Sequence, residues 1–205
     1  QNNLVSEGGR FIKNDIDIAM IMSVLTSLAI GGDQSFSPKE EIIIDALRRS
    51  MIDLNFATIE DISKSLLESL RLARIEKADF LGLSIGGMIL QHFASVNASM
   101  VDKLILVDTT FKYSKDWQLN WTERARISRE DGLEGMLEKL LEAFFTPEYL
   151  EKGSDDIDYC KQVIARMSGE GYALACEALS RCNLEKSATA ITSETLILCG
   201  DRDND

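Results

Sequence analysis

The feature that most constrains the fold is a Gly-x-Ser-x-Gly turn at residues 82–86. The apolar run 80–83 leads into this turn, and the helix-like segment 88–96 follows it at once. Serine at a strand–turn–helix junction adopts a strained backbone, so the positions two before and two after it must be small. Gly82 and Gly86 meet that need. The pattern predicts that the Ser84 hydroxyl stands at the carboxyl edge of a sheet, over a helix N-terminus that favours negative charge.

Ser84 is therefore a candidate nucleophile, and a structural Gly-Ser turn is the alternative. The strand–turn–helix context favours the nucleophile, because the motif without that context is weak. A dinucleotide fingerprint needs glycine where Ser84 stands, and no P-loop lysine follows the turn. We therefore set nucleotide-binding motifs aside.

Apolar strands and amphipathic helices alternate along the chain, which predicts an α/β fold with a mostly parallel sheet flanked by helices. Ser37-Pro38 and Thr58 are predicted helix starts. The predicted strands are 18–28, 51–56, 78–83, 104–108 and 195–199. Four helices without a strand among them are predicted at 115–129, 132–145, 155–168 and 171–182. We therefore expect a core formed by 1–110 and 191–205, with an inserted helical cap at 111–190.

Composition narrows the partners and the setting. The net charge is -12, from 22 Lys+Arg against 34 Asp+Glu, and no basic cluster stands out, which argues against nucleic acid or an anionic membrane. The apolar segment 18–30 is too short to span a bilayer and lacks a convincing cleavage site, so a buried strand is the better interpretation. Four cysteines without Cys-x-x-Cys and a single histidine predict no metal site, reduced buried thiols and a cytoplasmic setting.

A serine nucleophile needs a base and an acid that orients the base. Asp203 or Asp201 can supply the acid, because both follow the last strand and lie at the same sheet edge as Ser84. The only histidine, His92, lies eight residues after Ser84. That spacing is roughly 12 Å along a helix, so His92 is expected at the surface or in a groove, out of reach of the serine hydroxyl.

Aromatic side chains in the helical block are expected to pack the cap, and a subset of them can line an apolar substrate pocket. The candidates are Trp121, Phe144 and Phe145. Arg124 or Arg126, close to Trp121 in sequence, can hold a substrate carboxylate, with a solvent-facing arginine as the alternative.

The segments GLSIGGMILQHFA, VDKLILVDTT, WTER and TLILCGDRD, together with ATIEDISKSLLESL, carry a family resemblance. From about residue 57 onwards the chain resembles the α/β-hydrolase superfamily, closest to its 3-oxoadipate enol-lactonase-like branch. The resemblance implies a small-molecule ester or enol-lactone substrate, an acyl-enzyme, and no metal or cofactor. It implies Ser84 as nucleophile and Asp203 as the triad acid. The backbone N–H groups of Ile85 and Ile30 would then be the oxyanion donors.

The chain departs from the family pattern in three places. Leu28-Ala29 stand where the family has His-Gly, a loop after Leu54 is shorter, and the triad histidine would lie beyond Asp205. The chain also begins at Gln1 and stops just after an apolar strand, so we expect a fragment or a degenerate homologue with little or no turnover. The alternative is a non-catalytic α/β-hydrolase-like protein that binds a small ligand or a partner.

Overall fold

The structure, a computed structural model, describes residues 58–165 and 167–203 of the 205-residue chain. The predictions for segments 18–28 and 51–56, for the helix after Ser37 and for Ile30 lie outside the described residues. The described strands are β1 (Ala78–Leu83), β2 (Val101–Val107) and β3 (Glu194–Leu198). The helices are α1 (Ile59–Leu72), α2 (Ile85–Val96), α3 (Lys115–Glu130), α4 (Leu137–Phe144), α5 (Pro147–Lys152), α6 (Asp155–Ile164), α7 (Gly169–Arg181) and α8 (Glu185–Ala190). Short 3-10 turns lie at Ala98–Met100 and Glu134–Met136.

The three strands form a parallel sheet in the order β1-β2-β3, with β2 in the middle. At its carboxyl edge, Leu83 is in register with Val107, which is in register with Leu198. The next residues continue the ladder, since Ser84 N donates to Val107 O at 2.9 Å and Asp108 N donates to Leu198 O at 2.9 Å. The parallel sheet flanked by helices confirms the predicted fold class, and all three strands end at one edge.

The predicted strand bounds are right for β1 and shifted for the other two. β2 begins at Val101 rather than residue 104, because the turn Ala98–Met100 ends there and Val101 pairs with Ala78. Exposed Asp102 and Lys103 hide this start in the sequence. β3 was predicted to be covered on both faces, yet it is exposed along its length within the described part of the chain. Its hydrogen-bonded neighbour there is β2 alone.

Helices α1 and α2 pack together on the sheet and bury its main core. Thr58 caps α1 as predicted, with its Oγ1 accepting from Asp61 N at 3.2 Å. The Asp61 carboxylate accepts the Thr58 hydroxyl proton at 2.8 Å, so the full capping box is not formed. Phe80 of β1 meets Phe93 of α2 with ring centroids 5.3 Å apart. Leu72, the last residue of α1, is 65% exposed and does not join this core.

Residues 111–190, named here the helical segment, contain helices α3–α8 and no described strand beyond a single bridge between Lys112 and Asn183. Helices α3 and α7 share the core of the sheet, and α4 and α6 form a second cluster. The predicted helix 132–145 is divided by the turn Glu134–Met136. The predicted helix 155–168 ends at Ile164, because Ser168 caps α7 by accepting from Gly171 N at 3.1 Å. No described helix is long and apolar enough to cross a membrane.

Candidate functional site

The turn at residues 82–86, called the serine turn, holds Ser84 in a strained backbone conformation. Ser84 has φ 51° and ψ -120°, a region that residues with a side chain rarely occupy. A Cβ at position 82 would lie 2.6 Å from the carbonyl carbon of Gly86, so glycine is required there. Ser84 is exposed, and its hydroxyl makes no capping hydrogen bond to α2. The strained backbone and the exposed side chain of Ser84 are those that the motif predicts.

The amino end of α2 follows Ser84 directly. Ile85 is its first residue, and N–H groups of a helix's first turn have no partner within the helix. The carbonyl of Ser84 already accepts from Met88 N at 3.2 Å. The Ile85 N–H lies at the amino end of α2, and its role as an oxyanion donor stays a prediction, while Ile30 lies outside the described residues.

Residues 200–203, called the acid turn, follow β3 at the same sheet edge. Asp203 N donates to Gly200 O at 3.2 Å and closes the turn. Asp108, which follows β2, accepts from Gly200 N through Oδ1 at 2.8 Å. Atoms of Asp108, Cys199 and Asp203 all lie within 4.8 Å of one another. The sequence leaves open whether Asp201 or Asp203 is the triad acid. Asp203 is the one whose carboxylate lies close to Asp108, at the end of β2.

Asp108, Cys199 and Asp203 also have the side chains to hold a cation. Cys199 and Asp203 are exposed, and Asp108 already accepts the Gly200 N–H. The pKa of the Cys199 thiol is raised, chiefly by desolvation and to a smaller extent by the charges of Asp203 and Asp108. A protonated thiol beside two carboxylates is not a prepared metal ligand, since metals need the thiolate.

Cys199 also corrects the prediction that the cysteines are buried. All four are free thiols, but Cys199 is exposed and Cys160 is partly buried, while Cys176 and Cys182 are buried. The reason is the exposure of β3, which ends one residue before Cys199. The apolar residues that precede Cys199 in the sequence therefore do not bury its side chain.

His92 lies against α1 rather than at the serine turn. Burial chiefly lowers the pKa of His92, and the charges that act on it come from Glu60, Lys64 and Asp61 in α1. Its Nδ1 is buried and has no hydrogen-bond partner among the described residues. His92 therefore does not serve as the base for Ser84, in agreement with its helical spacing from the turn.

The proposed pocket residues fall into two separate groups. Trp121 belongs to the main core and contacts two other rings, Trp117 in a tilted arrangement at a centroid distance of 6.1 Å and Tyr113 edge-on at 5.5 Å. The Arg124 guanidinium lies 4.7 Å from the Trp121 ring centroid. Phe145 packs against the second cluster, apart from Trp121, and Phe144 precedes it at the end of α4. Phe144 is 60% exposed, and Phe145 stacks on Tyr149 at 5.4 Å.

Arg124 differs from its neighbouring arginines in its partners. Arg126 pairs with Glu123 and Glu130, and Arg129 also pairs with carboxylates. Arg124 is instead partly buried against two indole rings and is in no ion pair with a described carboxylate. Cation–π contact holds a guanidinium without neutralising its charge.

Sequence reasoning missed Thr109, which contacts the serine turn directly. Its Oγ1 donates to Ser84 O at 2.7 Å, and a Cβ at Gly87 would lie 2.6 Å from its Cγ2. The only sequence signal is a polar Asp-Thr-Thr run after an apolar strand, which is ordinary for a loop. Gly87, the second glycine of the Gly-Gly pair, was missed with it.

Comparison with known proteins places this geometry in a family. The chain matches the Ndr family over residues 46–204. It is 27% identical over 145 residues to 3-oxoadipate enol-lactonase 2 of Acinetobacter baylyi, covering 71% of this chain and 54% of that protein. The crystal structure of the enol-lactonase from Burkholderia xenovorans LB400 matches with TM-score 0.66 and 27% identity, over 71% of this chain and 55% of that one.

A thermophilic esterase from Thermogutta terrifontis shares the fold, with TM-score 0.64, 24% identity and coverage of 70% of this chain and 54% of that one. The chain thus spans about half the length of the relatives that it matches. The match to the family covers most of the chain, and its solved neighbours have the same sheet and flanking helices. The chain therefore belongs to the Ndr family, within the α/β-hydrolase superfamily.

Proposed function

We propose that this protein hydrolyses a carboxylic ester or an enol-lactone, with Ser84 as the nucleophile and an acyl-enzyme as intermediate. One observation carries the proposal: Ser84 has a strained positive φ and an exposed hydroxyl that does not cap the helix it precedes. A merely structural serine before a helix would place its oxygen on a backbone N–H of the first turn. The similarity to proteins named enol-lactonase supports the substrate class.

The chemistry divides among groups at the sheet edge. Ser84 Oγ would attack the carbonyl carbon while a base takes its proton, and the oxyanion would accept hydrogen bonds from Ile85 N–H and Ile30 N–H. Collapse would expel the alcohol or open the lactone, and water would then release the acid. Asp203 would orient the imidazole of the base. The described residues supply no imidazole for this role, because His92 lies against α1.

The helical segment would act as a cap over the sheet core, with the core formed by 1–110 and 191–205. Trp121, on the main core, and Arg124, over the Trp121 ring, are the proposed pocket residues. Phe144 and Phe145 are the other candidates, but Phe144 is 60% exposed and Phe145 packs on the second cluster. Arg124 is suited to hold a substrate carboxylate, since no described carboxylate neutralises it. A cytoplasmic setting is proposed from the four free thiols.

The described residues place no imidazole beside Ser84, and this sets the expected rate. In subtilisin, removing the triad histidine costs about a millionfold in turnover. We therefore expect little or no hydrolysis of a nitrophenyl ester by this chain alone. Added imidazole should restore a Ser84-dependent rate, because it can enter where the side chain of the base would stand.

The test compares the chain with Ser84→Ala, and with Ser99→Ala as the matched exposed serine at the opposite end of β2. Imidazole also hydrolyses the ester by itself, so the informative quantity is the difference between the chain and Ser84→Ala. A difference that grows with imidazole and is kept in Ser99→Ala supports the proposal. Equal rates for the chain and Ser84→Ala at every imidazole concentration would contradict a nucleophilic Ser84.

A non-catalytic protein that binds a small ligand or partner is the second candidate function. The position of His92 against α1 favours it, and Ndr family members are often non-catalytic. Binding then would not need the serine hydroxyl. A serine-directed fluorophosphonate separates the candidates, because strong labelling at Ser84 requires an activated hydroxyl.

A further inference from the structure

Two consecutive residues after the middle strand, Asp108 and Thr109, contact both turns of the candidate site and are called the bridging pair. β2 lies between β1 and β3, so the chain that leaves it passes between the serine turn and the acid turn. Thr109 donates to Ser84 O, and Asp108 accepts from Gly200 N. The two turns come from different parts of the sequence, and these neighbouring side chains are bonded to both.

Thr109 acts on the strained residue itself. Backbone strain of this kind costs about 1–3 kcal/mol and persists only where the surroundings hold it. The Thr109 hydroxyl donates to the carbonyl of Ser84 at 2.7 Å, and that carbonyl also accepts from Met88 N. The Thr109 side chain further lies where a Cβ of Gly87 would be, so α2 begins directly against it. Thr109 therefore fixes the direction in which the chain leaves Ser84.

Asp108 acts on the acid turn. Its Oδ1 accepts from the backbone of Gly200 at 2.8 Å, three residues before Asp203. Asp108 itself has φ 41°, a conformation that aspartate tolerates better than most residues. Its own N–H is bonded to Leu198 O at 2.9 Å, so its backbone is anchored to β3 as well. The Asp108 carboxylate therefore holds the start of the acid turn, while the Asp108 backbone is itself fixed to β3.

We propose that Asp108 and Thr109 are positioning residues that keep the serine turn and the acid turn in one fixed relation. The bridging pair works through backbone groups of Ser84 and Gly200 and touches no substrate. A change at either member then alters both turns, because the two residues share one peptide bond at the end of a paired strand. The use of this relation in catalysis rests on the proposed function, which assigns Ser84 and Asp203 to a single reaction.

The test uses amide NMR of the full chain, so it needs no turnover. Asp108→Gly removes the carboxylate without adding strain at positive φ, and Asp108→Asn keeps the oxygen acceptor. We expect Gly200 amide exchange to become about tenfold faster in Asp108→Gly and to stay near the wild-type rate in Asp108→Asn. The decisive expectation is a crossed effect: Asp108→Gly shifts the Ser84 and Ile85 amide resonances.

Thr109→Val tests the other member, because it keeps the shape and removes the hydroxyl, while Thr109→Ser keeps the hydroxyl. We expect Thr109→Val to shift the amide resonances of Gly200 and Asp203, and Thr109→Ser to restore them. Thr189→Val is the control, since the Thr189 hydroxyl bonds only to carbonyls of its own helix α8 among the described residues. The remaining resonances of each variant report whether it is folded.

Crossed shifts that the conservative variants reverse support the bridging pair. Shifts confined to the turn that each side chain touches would overturn it, since they would show two independent local bonds. Where imidazole-dependent hydrolysis is measurable, Thr109→Val should lower kcat at least about tenfold with KM unchanged, because misplacement acts on the reacting geometry. A Ser84→Ala variant as active as the chain would contradict the proposed function. The bridging pair would still be tested by the NMR measurements, because they do not depend on turnover.

Discussion

Arg202, the residue before Asp203, donates from Nη1 to both carboxylate oxygens of Glu148, at 3.1 Å and 2.9 Å. The pair links the acid turn to helix α5, and thus the sheet to the helical segment. Both side chains are more than half exposed. Water and salt therefore screen this attraction strongly.

We predict that Glu148→Gln leaves the urea midpoint almost unchanged at low salt and unchanged in about 1 M salt, where the Debye length is about 3 Å. Urea unfolding followed by circular dichroism measures this. Glu151→Gln is the control, because it lies in the same helix and takes part in no ion pair among the described residues. A large loss of stability that survives high salt would show that the pair is not a screened surface contact.

Gly82→Ala is predicted to lower the free energy of unfolding by about 1–3 kcal/mol. A Cβ there would lie 2.6 Å from Gly86 C and O and 2.7 Å from Gly87 N, and backbone atoms cannot move aside as a flexible side chain can. Gly135→Ala is the control, since its Cβ would meet only the Asp131 Cβ, at 3.3 Å. Equal unfolding free energies for the two variants in urea would count against a tightly closed serine turn.

His92 is predicted to make stability depend on pH. Burial lowers the pKa of His92 in the folded chain below its ordinary value of about 6.5. Between the folded pKa and about pH 6.5, the unfolded chain therefore binds more protons than the folded chain. The His92 contribution is therefore complete above about pH 6.5 and is lost as the pH falls through the interval down to the folded pKa. Unfolding free energies at about pH 7.5 and about pH 5.5 measure the slope.

His92→Gln should remove that part of the slope, because glutamine does not titrate. The substitution keeps the charged side chains of α1 near His92, which are Glu60, Asp61 and Lys64, so the difference between the two slopes isolates the histidine. Identical slopes for the chain and His92→Gln would show that partial burial does not lower the pKa of His92.

Cysteine alkylation is predicted to proceed in two stages. Cys199 is exposed and should react first, whereas Cys176 and Cys182 are buried and should react only after unfolding. Burial, followed by the charge of Glu60, raises the pKa of Cys182 to about 12, which protects it further. Mass spectrometry after iodoacetamide treatment measures the order, and Cys199→Ser should remove the fast site. Early modification of Cys182 would contradict the packing of the main core.

The sequence could predict the serine turn because its determinants are local. Small residues at 82 and 86 and a serine between them specify a backbone shape that few other sequences allow. The strand bounds of β1 and the Thr58 cap were predicted for the same reason. The split of helix 132–145 by the turn Glu134–Met136 was not predicted. The early end of α6 was not predicted either, because Ser168 starts the next helix rather than ending the previous one.

The bridging pair could not be predicted, because its roles arise from strand order. Asp108 and Thr109 matter only once β2 lies between β1 and β3, and no local pattern records that order. The separation of Phe145 from Trp121 has the same origin, since the spacing of aromatic residues along a chain does not tell which core each one joins. The exposure of Cys199 follows from the position of β3.

The pairing of β2 with β3 has a consequence for how the molecule forms. β1 and β2 pair across residues 84–100, which contain the serine residue of the serine turn. β3 pairs with β2 only after the chain has closed the much longer loop 108–193. Long-range closure of this kind slows folding, because chain entropy is lost before the new contacts form. At a synthesis rate of about 5–20 residues per second, roughly 5–20 s separate the completion of β2 from that of β3 on the ribosome. During that interval the nascent chain carries a finished strand β2 whose edge has no β3 to pair with, and the acid turn is made well after the serine turn and the bridging pair.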